Sequence, residues 1–186
     1  MSPILVRPVR EQLEHDRLIR LLQAKVKRKF DAGINPGAEQ NAPVGTGPQA
    51  VFPDLVLFSL ERGRRLQGVI EVETGESVNH LEALAQWTHL AKLRVPFHLY
   101  VPAGMVDVAR RLCEDNQITV NEIWSYHSLG DQVRFALVHR SREAASPKAG
   151  AGKSSPRTAK KAPARAAKPK KASKVKAKSK KKPKKK

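Results

Sequence analysis

Three acidic residues in one short stretch, Asp54, Glu71 and Glu73, have the types and spacing of a cation site. Asp54 belongs to the apolar run Pro53-Asp54-Leu55-Val56-Leu57-Phe58, and both glutamates to the run Gly68-Val69-Ile70-Glu71-Val72-Glu73-Thr74. A polar break from Glu61 to Arg65, containing Gly63, separates the two. Two apolar runs of strand length around a glycine-bearing break predict a β-hairpin. Side chains alternate faces along a strand, so Glu71 and Glu73 share one face while Ile70 and Val72 share the other. A two-residue turn at Arg62-Gly63 pairs residues whose numbers sum to 125 and sets Asp54 opposite Glu71; a four-residue turn sets it opposite Glu73. Directly opposed side chains lie roughly 5 Å apart at Cβ. In either register the three carboxylates are expected on one face, where a hard divalent cation, Mg2+ or Mn2+, relieves their repulsion. The competing reading is plain architecture: an antiparallel sheet with its acidic face toward water and Asp54 capping a turn beside Pro53.

The elements that must position these groups are legible on either side. Glu11 to Phe30 predicts a helix, with Leu18, Leu22, Val26 and Phe30 recurring every four residues and Leu21 beside them. Its other faces carry Arg17, Arg20, Lys25, Lys27, Arg28 and Lys29, a solvated surface or a phosphate-facing ridge. Gly33 to Pro48 is rich in glycine and proline and reads as a loop, either a flap over a site or an insertion, with a short strand at Gln49–Phe52. Ser77 is a fitting N-cap for a helix to about Leu93 whose inward stripe reads Leu81, Leu84, Ala85, Thr88 and Ala91. Gln86, His89 and Lys92 lie off the centre of that stripe, and Trp87 and Leu90 widen the apolar surface. A strand at Pro96–Val101 follows, and strand, helix, strand in this order predicts a right-handed crossover between parallel strands. Beyond it come a helix at Met105–Asp115 with Val106, Ala109, Leu112 and Cys113 inward, and strands at Ile118–Trp124 and Val133–His139 around a turn at His127–Asp131.

The chain has 186 residues and a formal net charge of +19. Eighteen of its 36 Lys and Arg lie in residues 144–186, which contain no Asp or Glu, leaving 18 basic against 17 acidic side chains in residues 1–143. The division expected is a folded domain over 1–143 and a disordered Lys-rich tail over 144–186, whose Lys, Ala, Pro and Ser cannot bury enough apolar surface to offset the entropy of ordering. Cys113 is the sole cysteine, and the six histidines show no zinc-ligand spacing. No apolar run has transmembrane length, so a cytoplasmic protein without a membrane partner is expected.

The order helix, strand with Pro53-Asp54, strand with Glu71-Val72-Glu73, helix, strand resembles the PD-(D/E)xK nuclease superfamily over about residues 9–126. The resemblance implies a restriction endonuclease-like αβββαβ core with a mixed sheet and a Mg2+- or Mn2+-dependent phosphodiesterase acting on DNA. It implies Asp54 and Glu71 as metal ligands, with Glu73, which stands where the superfamily usually has lysine, as a further ligand or a base toward water. Glu14, and after it Glu11, correspond to an acidic residue that some members place on the first helix, and Gln86 to a helix glutamine near the site. Glu73→Lys would restore the commoner motif. An inactive relative that binds DNA without cutting it is the alternative, because a glutamate cannot stabilise developing negative charge on phosphate.

The tail is similar to the Lys/Ala/Pro-rich tails of linker histones and of some bacterial nucleoid proteins, with Ser146-Pro147-Lys148 and Ser155-Pro156-Arg157 as Ser-Pro-basic turns. Its lysines, among them Lys160, Lys161, Lys170, Lys171, Lys180, Lys181 and Lys182, are expected to neutralise phosphates and release counterions without choosing sequence. DNA is the expected partner and RNA the other polyanion that fits. Such a protein belongs in the nucleoid, or in the nucleus of a eukaryote.

Overall fold

The fold is seen in a computed structural model that describes residues 8–130 and 132–141; the expected tail and its lysines lie outside the described residues. Helix α1 (Val9–Val26) is followed by β1 (Asp31–Ile34), β2 (Leu55–Phe58) and β3 (Leu66–Val72). Helix α2 spans 80–91 in three consecutive pieces, α-helical at His80–Glu82, π-helical at Ala83–Trp87 and α-helical again at Thr88–Ala91. Then come β4 (Phe97–Pro102), α3 (Val106–Asp115), β5 (Glu122–Leu129) and β6 (Gln132–Arg140). The six strands form one sheet in chain order, β1 to β6. Strands β1, β2 and β3 run antiparallel, the crossovers through α2 and α3 make β3, β4 and β5 parallel, and β6 returns antiparallel to β5. The class is therefore α/β with a mixed sheet.

Helices on both faces explain why β3 and β4 read as nearly unbroken apolar runs rather than alternating ones. On one face Leu18, Ile19 and Leu22 of α1 pack against Leu55, Leu57, Ile70, Val72, Tyr100 and Tyr126. On the other, Ala83, Trp87 and Leu90 of α2 and Ala109 and Cys113 of α3 cover Val56, Val69, Leu99, Val101 and Ile123. Burial pushes the Cys113 thiol up to about 12, with Glu114 adding to the shift, so this cysteine is packing material and not a nucleophile.

Several expectations are corrected. α1 ends at Val26, and its buried neighbour to Leu18 and Leu22 is Ile19, whereas Leu21 is exposed. The inward stripe of α2 is Ala83, Trp87 and Leu90; Leu81 and Leu84 face solvent. Strand β1 occupies part of the segment assigned to loop. Gly33 sits within it because a Cβ there would stand 2.5 Å from the Ala42 Cβ, closer than carbon atoms approach. The expected strand at Gln49–Phe52 is reduced to a single bridge between Val44 and Val51. β5 starts later than expected and runs on through His127–Leu129, residues assigned to a turn.

The hairpin register is the two-residue-turn one, Leu55 opposite Ile70 and Val56 opposite Val69, which sets Asp54 opposite Glu71. The turn itself differs. The strands stop at Phe58 and Leu66, the Ser59 N–H bonds the Arg65 carbonyl at 2.8 Å, and a bulge at Leu57/Phe58 absorbs the offset.

Candidate functional site

Asp54 is the last residue before β2, and Glu71 is the penultimate residue of β3, so both fall at the end of the sheet where β3 finishes. The backbone N–H of Asp54 donates to Glu71 Oε2 at 3.2 Å. The Asp54 carboxylate is held twice at Oδ2. The Val72 N–H donates to it at 2.8 Å, and His15 Nε2 on α1 lies 3.1 Å away. His15 and Asp54 are both buried, at 4% and 7% exposure. His15 Nδ1 stands 3.5 Å from Asp16 Oδ1, and that same oxygen accepts from Gln12 Nε2 at 2.7 Å and from the Gly37 N–H at 3.0 Å. This chain of contacts ties α1 to the end of the hairpin and to the loop after β1.

Glu73, one step past β3, is fully buried at 0% exposure. The indole N–H of Trp87 donates to its Oε1 at 2.7 Å, its own N–H bonds the Tyr100 carbonyl, and its carbonyl accepts from the Tyr126 hydroxyl at 2.8 Å. Trp87 reaches it from the π-helical turn of α2, a widened turn of the kind that often marks functional sites.

Glu71 lines a cleft of about 470 Å³ between α2 and the long loop, shared with Gln86 and His89 on one wall and Gln40, Phe52 and Pro53 on the other. The loop wall is an ordered structure pinned by buried Asn35, whose side-chain amide donates to the carbonyls of Ala42 and Pro53 at 2.9 and 2.6 Å and accepts from the Ala42 N–H at 2.7 Å.

The structure thus brings together Asp54 and Glu71, and places Gln86 in the cleft that Glu71 lines. It sets Glu73 under Trp87. Glu14 is exposed and accepts from the Ser128 hydroxyl at 3.2 Å, in a hollow walled by Gly75, Pro102 and Gly104. Glu11 accepts from the Thr74 hydroxyl at 2.8 Å. Asp54 and Glu71 are therefore joined by a hydrogen bond, while Glu73 and Glu14 belong to separate groups. Among the described residues, no three His, Cys, Asp or Glu side chains gather in a way that could hold a metal ion. As placed, the four carboxylates do not fit a single Mg2+ or Mn2+ cage; the opposed pair Asp54 and Glu71 is what the hairpin supplies.

Sequence reasoning gave His15 no partner and Trp87 only an apolar packing role, and passed over Asn35. His15 carried a readable signal, since it precedes Leu18 by three residues and Ile19 by four. A histidine on the apolar stripe of a helix needs a buried polar partner. Set against known proteins, the chain matches no family model, no curated protein and no solved structure.

Proposed function

We propose that the chain is a nuclease-like protein that acts on DNA by binding it, built on a restriction endonuclease-like scaffold and held on nucleic acid by its polycationic tail. The observation that carries this reading is the state of the motif carboxylates. Glu73 serves as a buried acceptor for Trp87, and Asp54 as an acceptor for Val72 and a partner for His15. Groups so placed hold α1, α2 and β3 together. The succession α1, β1, β2, β3, α2, β4 supports the αβββαβ scaffold, and Pro53-Asp54 opposite Glu71 supports its motif. The eighteen cations of residues 144–186 supply affinity through counterion release.

A second reading, a Mg2+- or Mn2+-dependent phosphodiesterase using Asp54 and Glu71, draws support from one feature. Glu71 and Gln86 share a cleft beside the carboxyl end of β3, where open α/β sheets take their ligands. Calorimetric titration of Mn2+ into the full chain, run beside duplex binding, separates the two. The binding reading expects tight duplex binding and no saturable Mn2+ heat. Saturable Mn2+ heat, lost with cleavage in a folded Asp54→Ala variant, would replace it with the second.

A further inference from the structure

The C-terminal end of α1 and the β2–β3 connection lie side by side, and both are basic. From α1 and the turn after it come Arg20, Lys27, Arg28 and Lys29, while Lys25 turns away over the Trp124 and Phe135 rings; from the connection come Arg62, Arg64 and Arg65. Arg20 and Lys27 on one side and Ser59, Glu61 and Arg64 on the other line a common cleft of about 600 Å³. The acidic residues here, Asp31 and Glu61, are each engaged already, with Arg64 at 2.9 Å and Arg65 at 3.1 Å. Arg20, Lys27, Arg28, Lys29 and Arg62 have no ion-pair partner among the described residues, and all five are exposed.

Charge bookkeeping shows how uneven this is. Residues 1–143 carry 18 basic and 17 acidic side chains, and this one end holds seven of the former against two of the latter. The near-neutral domain is therefore strongly polarised. Cations at the end of a helix complement its dipole, but only within the last turn, and that effect does not reach Arg62 on the hairpin. The backbone adds an independent sign. Gly63 adopts φ +103° without penalty, yet Arg64 beside it is held at φ +37°, a region that non-glycine residues occupy at a cost of about 1–2 kcal/mol. That arginine is fixed by Asp31 and lies over the Phe58 ring at 4.5 Å, so a guanidinium is kept at the lip of the cleft in spite of local strain.

We propose that this end of the domain is a phosphate-binding surface that seats the backbone of a DNA duplex. Its shape favours a duplex over an anionic bilayer: a phosphate ridge enters a concave cleft that Arg20, Lys27 and Arg64 help to line, with Arg28 and Arg62 exposed on the elements that form it, and a flat lipid surface does not. Asp54 lies at the other end of β2, roughly 14 Å away at about 3.4 Å per strand residue. That is less than half of the roughly 34 Å turn of a duplex. The inference rests on the nucleic-acid reading above and not on cleavage.

The test measures duplex affinity of the full chain across a salt series, for the wild type and for the variant Lys27→Gln, Arg28→Gln, Arg62→Gln. Each lost phosphate contact reduces the slope of log affinity against log salt by about 0.9, so a slope shallower by about 2 to 3 is expected. Arg62→Gln alone, at the exposed tip, should remove about 0.9 and serves if the triple variant fails to melt like the wild type. A matched variant on α3, Arg110→Gln, Arg111→Gln, should leave the slope unchanged. Unchanged slopes in the surface variants, or an equal loss in the α3 variant, would overturn the surface while leaving tail-mediated binding intact. Loss of binding to phosphatidylserine vesicles with the duplex slope preserved would assign the surface to lipid and overturn the proposal. A wild type that binds no duplex at all would remove the nucleic-acid reading and this inference with it.

Discussion

Glu73 shows how far a residue's environment can move it from the role its position implies. The position is the one at which the resemblance expects a lysine, and Glu73→Lys looks from the sequence like a return to the commoner motif. In the structure the side chain is fully buried and accepts from the Trp87 indole, a group that can only donate. A lysine there would set an ammonium against another donor, out of water. Leaving a buried charge uncompensated, as that ammonium would be, costs on the order of 3–5 kcal/mol, so we predict that Glu73→Lys lowers stability by that much instead of restoring activity. Trp87→Phe keeps most of the ring volume but takes the donor away, and should cost about 1–3 kcal/mol. Urea unfolding of both variants is the measurement. A Glu73→Lys protein with the wild-type midpoint would show that the carboxylate is not an anchor. The alternation of Glu71 and Glu73 was readable from the strand period, and the pairing of Asp54 with Glu71 was one of the two registers that the sequence left open. The donors were not readable, because Trp87 and His15 reach the sheet from helices whose docking no local pattern specifies.

Elements were legible where one period governs a run and lost where two structures interrupt each other. Of the two hairpin registers left open, the one that sets Asp54 opposite Glu71 is found, although with a longer connection than a two-residue turn, because the bulge at Leu57/Phe58 compensates. The α2 stripe did not survive: the buried Ala83, Trp87 and Leu90 still recur at ordinary helical spacing, but it is the docking of the helix on the sheet that decides which apolar face turns inward. β1 was hidden by Gly33, which the close approach of Ala42 requires but which reads in isolation as a loop residue.

At the same scale, β4, β5 and β6 are joined side by side by one carboxylate, and its titration should be visible. Glu122 accepts from Trp124 Nε1 at 2.8 Å and Arg140 Nε at 2.8 Å, and lies 3.0 Å from His98 Nδ1. Burial pushes its pKa up, but the Trp124 hydrogen bond, His98 and Arg140 outweigh burial and hold it below the usual glutamate value. His98 is lowered too, chiefly by burial, with Glu122 opposing. Both folded values lie below the unfolded ones, so in both cases the unfolded chain takes up its proton first as pH falls. Stability should be complete above about pH 6.5, the unfolded value for histidine. It should decline first as His98 lags and again below the ordinary glutamate range, through the lowered value of Glu122. Melting temperature followed from pH 8 to pH 3 checks this. Glu122→Gln should remove the lower step, and an unaltered acid limb in that variant would rule the cluster out as its source.

For the whole molecule, net charge is a poor guide to where phosphate is met. Residues 1–143 are almost neutral by count, which alone argues that a duplex is bound by the tail and hardly by the domain. The polarised end formed by α1 and the β2–β3 connection changes the expected result of removing residues 144–186. If about eight tail cations engage phosphates in the full chain, the salt dependence of binding is near the seventh power from the tail alone. Without the tail it should fall to about the second or third power, not to zero, because three or so domain contacts remain. Adding Lys27→Gln, Arg28→Gln and Arg62→Gln to the shortened chain should then bring it close to zero. The melting temperature should barely move on truncation, since the removed composition has almost nothing to bury. Salt titrations of the three proteins on one duplex decide the matter. A shortened chain with no salt dependence would confine phosphate binding to the tail, and one with the slope of the full chain would mean that the domain makes all the contacts and the tail serves another partner.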